Sequence, residues 1–460
     1  MKEKVVILGS GESGIGAATL AVKQGYEVFL SDYGLIAGAQ KAALDKLGIE
    51  YEEGMHTISK MADAVWVVKS PGIPDKAPIV RELNAMSIEV ISEIEFAFRF
   101  VKPNAKIIAI TGTNGKTTTT LLTWHLLREA GWKVGLGGNV GYSFALRVAE
   151  DDYDYYVLEV SSFQLDGIIH FRPDVAVLLN ITPDHLDRYE YDFASYVASK
   201  FRITENLRAT DYFIYSADSK PIVDELQKRP VAFHRLSVST ETTGAKTGAF
   251  LSGEHLSFSV SIPALHWHQS FSCKEIPLLG RHNMTNTMAA VLAVRMMGLA
   301  DEQIAAGLKT FVNAPHRLEE VASIGGVRYI NDSKATNVDS VFYALDGIQA
   351  PIIWIAGGID KGNDYSFIEA LVETKVKGLI CLGKDNRALT GYFAEKIGQI
   401  AETVSIDEAV SLAFEWAESG DVVLLSPACA SFDLFRNYED RGDQFKRAVV
   451  DFKTKKIQPV

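Results

Sequence analysis

Residues 107–119 contain an apolar strand, a short loop of small residues and the start of an amphipathic helix. Backbone N–H groups of such a loop surround phosphate oxygens, a lysine supplies a mobile charge and a threonine hydroxyl can hold Mg²⁺. The glycines are closer together than in the usual phosphate loop, and Ile110 stands where the first glycine would be. The pattern predicts nucleoside triphosphate binding rather than an ordinary strand-to-helix turn. The predicted ATP-binding loop consists of Gly112, Thr113, Asn114, Gly115, Lys116, Thr117 and Thr118.

A second glycine-rich loop follows the first predicted strand. Gly9, Gly11 and Gly14 have the spacing of a dinucleotide-binding loop, and Asp32 ends the second strand. Such glycines let a pyrophosphate approach the end of the next helix, while the acidic residue binds sugar or base edges. Three interpretations stay open: NAD, a nucleotide-sugar diphosphate, or a tight turn without a ligand. Residues 70–72 follow the third strand, where the same sheet edge would place further ligand contacts.

Two polar residues follow strands of the central part of the chain. Glu159 ends an apolar strand, which suits a carboxylate that holds Mg²⁺ opposite nucleotide phosphates. His185 follows the next strand and is expected at the same sheet edge, although an isolated histidine is usually structural. Lys200 stands on the following predicted helix, and its pattern is that of an ordinary solvated lysine.

Three polar loops follow strands in the last third of the chain. They span residues 331–337, 357–362 and 426–433. In an open α/β sheet such loops meet at the ligand crevice, so Lys334 and Lys361 could hold one anion with Ser431 completing the pocket. A turn with a helix cap explains residues 331–337 equally well.

The elements that position these residues alternate between strand and helix in three series, which predicts an α/β fold. Pro103 and Pro315 interrupt the pattern and mark the expected linkers, and Arg317, just beyond the second, could neutralise a transferring phosphoryl group or stack on adenine. The central domain is expected to combine a parallel sheet with a small antiparallel β part near residues 231–277. The predicted domains are a Rossmann-like domain at 1–93, a central phosphate-loop ATPase domain at 94–313 and a C-terminal Rossmann-like domain at 314–460.

Composition limits the partners. The 460 residues carry a formal charge of -12, which argues against a broad nucleic-acid or anionic-membrane surface and favours small phosphorylated metabolites. Cys273, Cys381 and Cys429 lack metal-ligand spacing and suit a reducing compartment. With no signal-peptide core and no apolar run of membrane-spanning length, we expect a cytoplasmic protein. We also expect a monomer.

Motifs along nearly the whole chain resemble the Mur ligases of bacterial peptidoglycan synthesis. They include Gly-Gly-Asn-Val-Gly, Leu-Glu-Val-Ser-Ser-Phe-Gln-Leu, Asn-Ile-Thr-Pro-Asp-His-Leu-Asp-Arg, Gly-Arg-His-Asn and Pro-His-Arg, besides the phosphate loop. The runs at 331–337 and 426–433, with the glycine-rich first domain, are most similar to the branch that adds D-glutamate. The branch that adds diaminopimelate or lysine would carry an Asp-Asn-Pro-Arg-type motif, which the sequence lacks.

The resemblance implies an ATP-dependent reaction that joins D-glutamate to UDP-N-acetylmuramoyl-L-alanine through an acyl phosphate. It also implies two Mg²⁺ sites, one held by Thr117 and Glu159 and the other by His185 and a carbamylated Lys200. Lys116, His185 and Lys200 are the catalytic residues that it implies.

The resemblance further assigns residues to each substrate. Besides the phosphate loop, the nucleotide would contact Asn283, Asn286, Arg317 and Asp332. The UDP substrate would contact Ser10, Gly11, Glu12, Ser13, Asp32, Ser70, Pro71, Gly72, Asn139 and His185. The D-glutamate pocket would contain Lys334, Thr336, Lys361, Ser431, Phe432 and Tyr438.

Two other functions share part of this pattern. A folylpolyglutamate-type ligase would have the same phosphate loop, but the loop at 9–14 and the run at 331–337 count against it. A nucleotide-binding regulatory or transport ATPase would leave Lys334 and Lys361 unexplained.

Overall fold

The computed structural model describes residues 2–229, 232–241, 247–263, 265–278 and 280–457, and it contains three β-sheets flanked by helices. The chain divides into two compact units. The first contains the N-terminal and central sheets and spans Met1–Pro277 and Thr285–Phe311. The second contains the C-terminal sheet and spans Leu278–Met284 and Val312–Val460. The domain boundaries near residues 93 and 313 stay predictions.

The N-terminal sheet is parallel, with the strand order β3-β2-β1-β4-β5. Its central strand is buried from Val5 to Leu8, as expected for a strand covered by helices on both faces. Its strands are β1 Lys4–Leu8, β2 Glu27–Asp32, β3 Glu50–Glu53, β4 Ala64–Lys69 and β5 Glu89–Ser92. Its helices are α1 Glu12–Lys23, α2 Gly38–Leu47, α3 Pro78–Ala85 and α4 Glu93–Phe98.

The central sheet has the strand order β14-β13-β12-β11-β10-β9-β6-β8-β7. Its strands are β6 Lys106–Thr111, β7 Val134–Gly138, β8 Tyr155–Glu159, β9 Val175–Leu178, β10 Tyr212–Ser216, β11 His234–Ser239, β12 Gly248–Ser252, β13 His255–Ile262 and β14 Leu265–Ser272. Its helices are α5 Lys116–Glu129, α6 Phe144–Glu150, α7 Ser162–Leu165, α8 Phe193–Phe201 and α9 Lys220–Lys228, followed by α10 Arg281–Met296 and α11 Asp301–Thr310.

The predicted antiparallel part is present but smaller than expected. Among the described residues of the central sheet, only β12, β13 and β14 pair antiparallel, because they are consecutive hairpin strands. Strand β11 instead follows helix α9 as a crossover and pairs parallel with β10, and β12 pairs parallel with β11. Residues 230–231, 242–246 and 264, which fall in or beside this part of the prediction, lie outside the described residues.

The C-terminal sheet has the strand order β15-β16-β20-β17-β18-β19, in which only β15 is antiparallel to its neighbour. The last strand, β20, therefore lies between β16 and β17. Its strands are β15 Glu319–Ile324, β16 Val327–Asn331, β17 Ile352–Ala356, β18 Val376–Leu382, β19 Ile400–Thr403 and β20 Val422–Leu425. Its helices are α12 Val338–Gly347, α13 Glu369–Lys375, α14 Arg387–Phe393, α15 Ile406–Trp416 and α16 Tyr438–Ile457.

Each unit has its own apolar core. In the first unit one cluster includes Leu30 of the N-terminal sheet and Phe213 of the central sheet. In the second unit Trp354 belongs to one cluster, and Ile353 and Ile355 belong to another, so β17 buries both of its faces. Within the described ranges, no helix is long and apolar enough to span a membrane. Both predicted Rossmann-like sheets and the α/β class are confirmed.

Candidate active site

The predicted phosphate loop connects β6 to α5, as the sequence indicates. Gly115 has a φ of 83°, and a Cβ added there would approach Oδ1 of Asn286 to 2.3 Å. The side chain of Asn180 clamps the loop, because its Oδ1 accepts from the Asn114 N–H at 2.8 Å and its Nδ2 donates to the Asn114 carbonyl at 3.0 Å. The structure thus brings Asn286 to the loop. The role of Asn180 could not be predicted from the sequence, because it depends on the pairing of β6 with β9.

Two lysine amines donate to the same carbonyl of this loop. The Nζ atoms of Lys116 and Lys200 lie 2.9 and 2.8 Å from the Gly112 oxygen. The sequence pattern predicted that Lys200 is exposed to solvent, and this prediction is wrong. Helix α8 places the side chain beneath the loop, where only 2% of it is exposed. Burial, and then the charge of Lys116, lower the pKa of Lys200 well below its usual value.

Glu159 is buried at the end of β8 with one carboxylate oxygen unused. Its Oε1 accepts from Nδ2 of Asn139 at 2.8 Å, whereas Oε2 has no hydrogen-bond partner in the described part of the chain. A buried carboxylate oxygen without a donor suits a cation ligand. Asn139, which the resemblance assigns to the muramoyl substrate, here holds this carboxylate.

His185 lies in an exposed loop after β9. Its φ is 52°, 56% of its side chain is exposed, and its ring centroid is 5.2 Å from that of Phe163. Within the ranges that the structure describes, no hydrogen bond or ion pair joins it to Glu159, and no group of three His, Cys, Asp or Glu side chains could hold a metal. The two sets of Mg²⁺ ligands therefore stay predictions.

The predicted UDP-binding residues of the first domain lie at the carboxyl edge of the N-terminal sheet, whereas Asn139 and His185 follow strands of the central sheet. The backbone N–H and the hydroxyl of Ser10 donate to Oδ2 of Asp32 at 2.7 and 2.6 Å, and the N–H of Gly34 donates to Oδ1 at 2.8 Å. A Cβ added at Gly9 would lie 2.6 Å from Oγ of Ser70, so this turn borders the glycine loop. That Oγ is buried without a hydrogen-bond partner among the described residues.

Arg188 joins this substrate edge to the loop of His185. Its guanidinium donates to the carbonyls of Pro71, Gly72 and Ile73 at 3.0, 3.1 and 3.1 Å, and it lies 4.6 Å from the ring centroid of Phe163. The guanidinium thereby fixes the turn at 70–72. This role of Arg188 could not be predicted from the sequence, because more than a hundred residues separate Arg188 from the turn that it contacts.

Asp332 is buried at the edge of the C-terminal sheet. Its carboxylate accepts from Oγ of Ser426 at 2.9 Å and from the N–H of Leu318 at 3.2 Å. Burial raises its pKa to about 7, although the Ser426 hydrogen bond and the nearby charge of Arg317 act in the opposite direction. These two predicted nucleotide residues are therefore close together within the second unit.

The residues predicted for D-glutamate lie on neighbouring loops and at the start of α16. Nζ of Lys334 is 3.7 Å from the ring centroid of Tyr438, a cation–π contact. Ser431 is buried, while Lys361 and Phe432 are exposed. Loops after β16, β17 and β20 are adjacent because β20 lies between the other two strands. They carry Lys334, Thr336, Lys361, Ser431 and Phe432.

Models of known protein families match most of the chain. The model of the Mur ligase middle domain matches residues 110–294, that of the Mur ligase glutamate ligase domain matches 316–429, and that of the MurD N-terminal domain matches 4–79. The chain belongs to the Mur ligase family. It is therefore an ATP-dependent ligase that forms an amide bond.

Relatives of this Mur ligase match along its whole length. A protein of Cytophaga hutchinsonii named UDP-N-acetylmuramoylalanine–D-glutamate ligase is 52% identical over 455 residues, which cover 98% of this chain and 99% of the relative. A protein of Porphyromonas gingivalis with the same name is 49% identical over 453 residues, with the same coverage.

Solved structures share the fold of this Mur ligase at low sequence identity. A pseudomurein peptide ligase type C of Methanothermus fervidus aligns with a TM-score of 0.61 at 17% identity, covering 98% of this chain and all of the other. The UDP-N-acetylmuramate-alanine ligase MurC of Thermotoga maritima aligns with a TM-score of 0.60 at 16% identity, covering 99% and 100%. At such identities the likeness supports the fold alone.

Proposed function

We propose that this Mur ligase joins D-glutamate to the alanyl carboxylate of UDP-N-acetylmuramoyl-L-alanine and converts ATP to ADP and phosphate. The observation that carries the proposal is the full-length similarity to relatives named for that reaction, at 52% identity. The match of a MurD N-terminal domain to residues 4–79 supports a UDP end and argues against NAD and against a folylpolyglutamate-type ligase.

The reaction has two bond-forming steps. A carboxylate oxygen attacks the γ-phosphorus of ATP and ADP leaves, which gives an acyl phosphate. The neutral amine of D-glutamate then attacks the acyl carbon, loses a proton and expels inorganic phosphate as the C–O bond breaks. Both partners of the first step are anionic, so the protein must position them and neutralise their charge. The backbone N–H groups of the loop at 112–117 and the amine of Lys116 suit that task.

The cation that accompanies ATP has a fitting ligand in Glu159. Its buried Oε2 lacks a donor among the described residues, and Thr117 lies in the first turn of the helix that follows the phosphate loop. We infer that these two residues hold one Mg²⁺ and that His185 and Lys200 serve a second. Bound Mg²⁺ would neutralise charge on the phosphates.

Lys200 has the environment of a lysine that can be carbamylated. Its amine is buried, and its lowered pKa favours the neutral form, which is the form that reacts with carbon dioxide. We infer that the resulting carbamate provides a carboxylate-like ligand and compensates the charge of Lys116, which lies against the same carbonyl.

The two remaining substrates would bind at the edges of the N-terminal and C-terminal sheets. UDP would occupy the edge formed by the loop at 10–13, Asp32 and the turn at 70–72, with Asn139 and His185 towards the muramoyl group. D-Glutamate would occupy the pocket of the C-terminal sheet with its lysines. Because ATP and UDP-linked precursors are cytoplasmic metabolites, we infer a cytoplasmic reaction, and we expect the enzyme to act as a monomer.

Phosphate release tests the function. We expect the purified protein to release phosphate only when ATP, UDP-N-acetylmuramoyl-L-alanine and D-glutamate are all present. Lys116→Ala should abolish this release, whereas Lys133→Ala, at an exposed ion pair with Asp151, should leave it unchanged. Release with ATP alone would indicate a simple ATPase. Release with L-glutamate and a folate in place of both substrates would support the other ligase.

A further inference from the structure

Arg441, in the first turns of α16, is a charged residue with only 1% of its surface exposed. Its Nε donates to Oγ of Ser333 at 3.0 Å, and its Nη2 donates to the carbonyl of the same residue at 2.9 Å. Its Nη1 donates to the carbonyls of Gly357 and Cys429 at 3.3 and 3.2 Å. All four acceptors are neutral, and no ion pair of Arg441 occurs in the described ranges.

Burying a cation without a carboxylate in contact with it lowers the stability of the fold, so we expect such a residue to have a role in function. Burial lowers the pKa of Arg441 to about 10, although the charge of Asp433 acts in the opposite direction, and the guanidinium therefore stays charged at neutral pH. A lysine could not replace it fully, because only the planar guanidinium presents several donors in fixed directions.

The acceptors of Arg441 belong to three different loops, which follow β16, β17 and β20 at the same edge of the sheet. The loops also bond to one another through their backbones. The N–H of Ala428 donates to the carbonyl of Ala335 at 2.9 Å, and the N–H of Ile359 donates to the carbonyl of Ala430 at 2.8 Å. Arg441 thus forms hydrogen bonds to three connected loops from the interior of the domain.

The helix that carries Arg441 is attached to the first of these loops. Oγ of Ser333 donates to the carbonyl of Tyr438 at 2.8 Å. A Cβ added at Gly442 would lie 2.1 Å from Nδ1 of His316, so glycine permits a close approach at this turn of α16. The position of the guanidinium is therefore fixed by its own helix as well as by its acceptors.

We propose that Arg441 is a positioning residue for the incoming amino acid: it fixes the three loops that form the amino-acid pocket and places a positive charge beneath them. The inference rests on the proposed function, because D-glutamate brings two carboxylates into a pocket whose predicted contacts include Lys334 and Lys361. No carboxylate pairs with Arg441 by direct contact among the described residues, and Asp433 offsets its charge only at longer range, so the remaining charge attracts an anionic substrate.

Steady-state kinetics of Arg441→Lys and Arg441→Met test this role, with Arg447→Met, an exposed arginine of the same helix, as the matched control. We expect Arg441→Lys to raise the KM for D-glutamate about tenfold, and Arg441→Met to raise it further, because misplaced loops weaken amino-acid binding. The KM for the UDP substrate should stay within about twofold, since its predicted contacts lie on the other two sheets, whereas the loop after β16 also carries Asp332, a predicted nucleotide contact. The control should keep all wild-type constants.

Unchanged KM for D-glutamate in both variants, or an equal rise for all three substrates, would overturn the positioning role. If Arg441→Met yields no folded protein by circular dichroism, Arg441→Lys and Ser333→Ala decide, because each removes only part of the hydrogen bonding. A wild-type protein without D-glutamate-dependent phosphate release would instead refute the proposed function. The two failures are therefore distinguishable.

Discussion

The buried position of Lys200 determines the chemistry that we expect of its amine. It is buried, shares the Gly112 carbonyl with Lys116 and has a lowered pKa. We predict that protein equilibrated with ¹³C-bicarbonate gives a carbamate carbon resonance that is lost in Lys200→Ala. We also predict that this variant loses activity and that short-chain carboxylic acids restore part of it. Absence of both the resonance and the rescue would contradict the metal-ligand role.

Glu93 is a buried carboxyl outside the proposed chemistry, and it makes stability depend on pH. It accepts from the N–H of Ala145, its Oε2 has no partner among the described residues, and burial raises its pKa from 4.5 to about 7. As pH rises between those values, the unfolded chain releases this proton while the folded chain keeps it, so the free energy of unfolding falls. Above about 7 both forms are ionised and the loss is complete.

We predict that this effect is removed in Glu93→Gln, which keeps an acceptor for the Ala145 N–H. Between about pH 5 and about pH 8 the wild type should lose about 3 kcal/mol more unfolding free energy than the variant. Urea unfolding at both pH values measures the difference. Glu27→Gln, at an exposed strand end, is the control and should behave as wild type. Equal pH dependence in wild type and Glu93→Gln would show that Glu93 does not titrate as proposed.

The local structure around single residues was predictable where spacing along the chain determines it. The loop between β6 and α5 and the position of Glu159 at the end of β8 follow from apolar strands in the sequence, while the ligands of these residues stay predictions. The roles of Asn180, Arg188 and Arg441 could not be predicted, because each acts on backbone groups that are distant in sequence. A pattern of neighbours cannot show such contacts.

At the scale of elements, one side chain after β9 of the central sheet holds a turn of the N-terminal sheet. Arg188 binds three carbonyls of the predicted UDP turn. We predict that Arg188→Ala raises the KM for the UDP substrate about tenfold, because the turn loses its anchor, and leaves the KM for ATP nearly unchanged. Initial-rate kinetics measure both constants, with exposed Arg235→Ala of β11 as the control. Equal KM values for wild type and Arg188→Ala would contradict this role.

The sequence predicted the polar loops of the C-terminal domain but not which of these loops are adjacent, because adjacency depends on the order of the strands in the sheet. The alternation of strands and helices indicated β16, β17 and β20 and the polar loops after them. It could not show that β20 lies between the other two, because strand order depends on tertiary packing. For the same reason β11 and β12 were expected in the antiparallel part, although both pair parallel with the strand before them.

At the scale of the whole molecule, the α/β class and the family were predictable from motifs spread over most of the chain. The residues proposed for one reaction are divided between the two compact units: Lys116 and Glu159 belong to the first, and Arg317 and Lys334 belong to the second. Each unit alone would hold only part of the substrates. The central claim is therefore that both parts serve one reaction, in which ATP activates the carboxylate that the amino acid then attacks.

Oxygen transfer tests that claim most directly. If both oxygens of the alanyl carboxylate carry ¹⁸O, the oxygen that attacks the γ-phosphorus must leave with phosphate when D-glutamate displaces it. We predict that mass spectrometry finds one ¹⁸O in the inorganic phosphate and one in the new amide carbonyl, with none in ADP. Unlabelled phosphate, whether it forms together with the amide product or without it, would contradict the account.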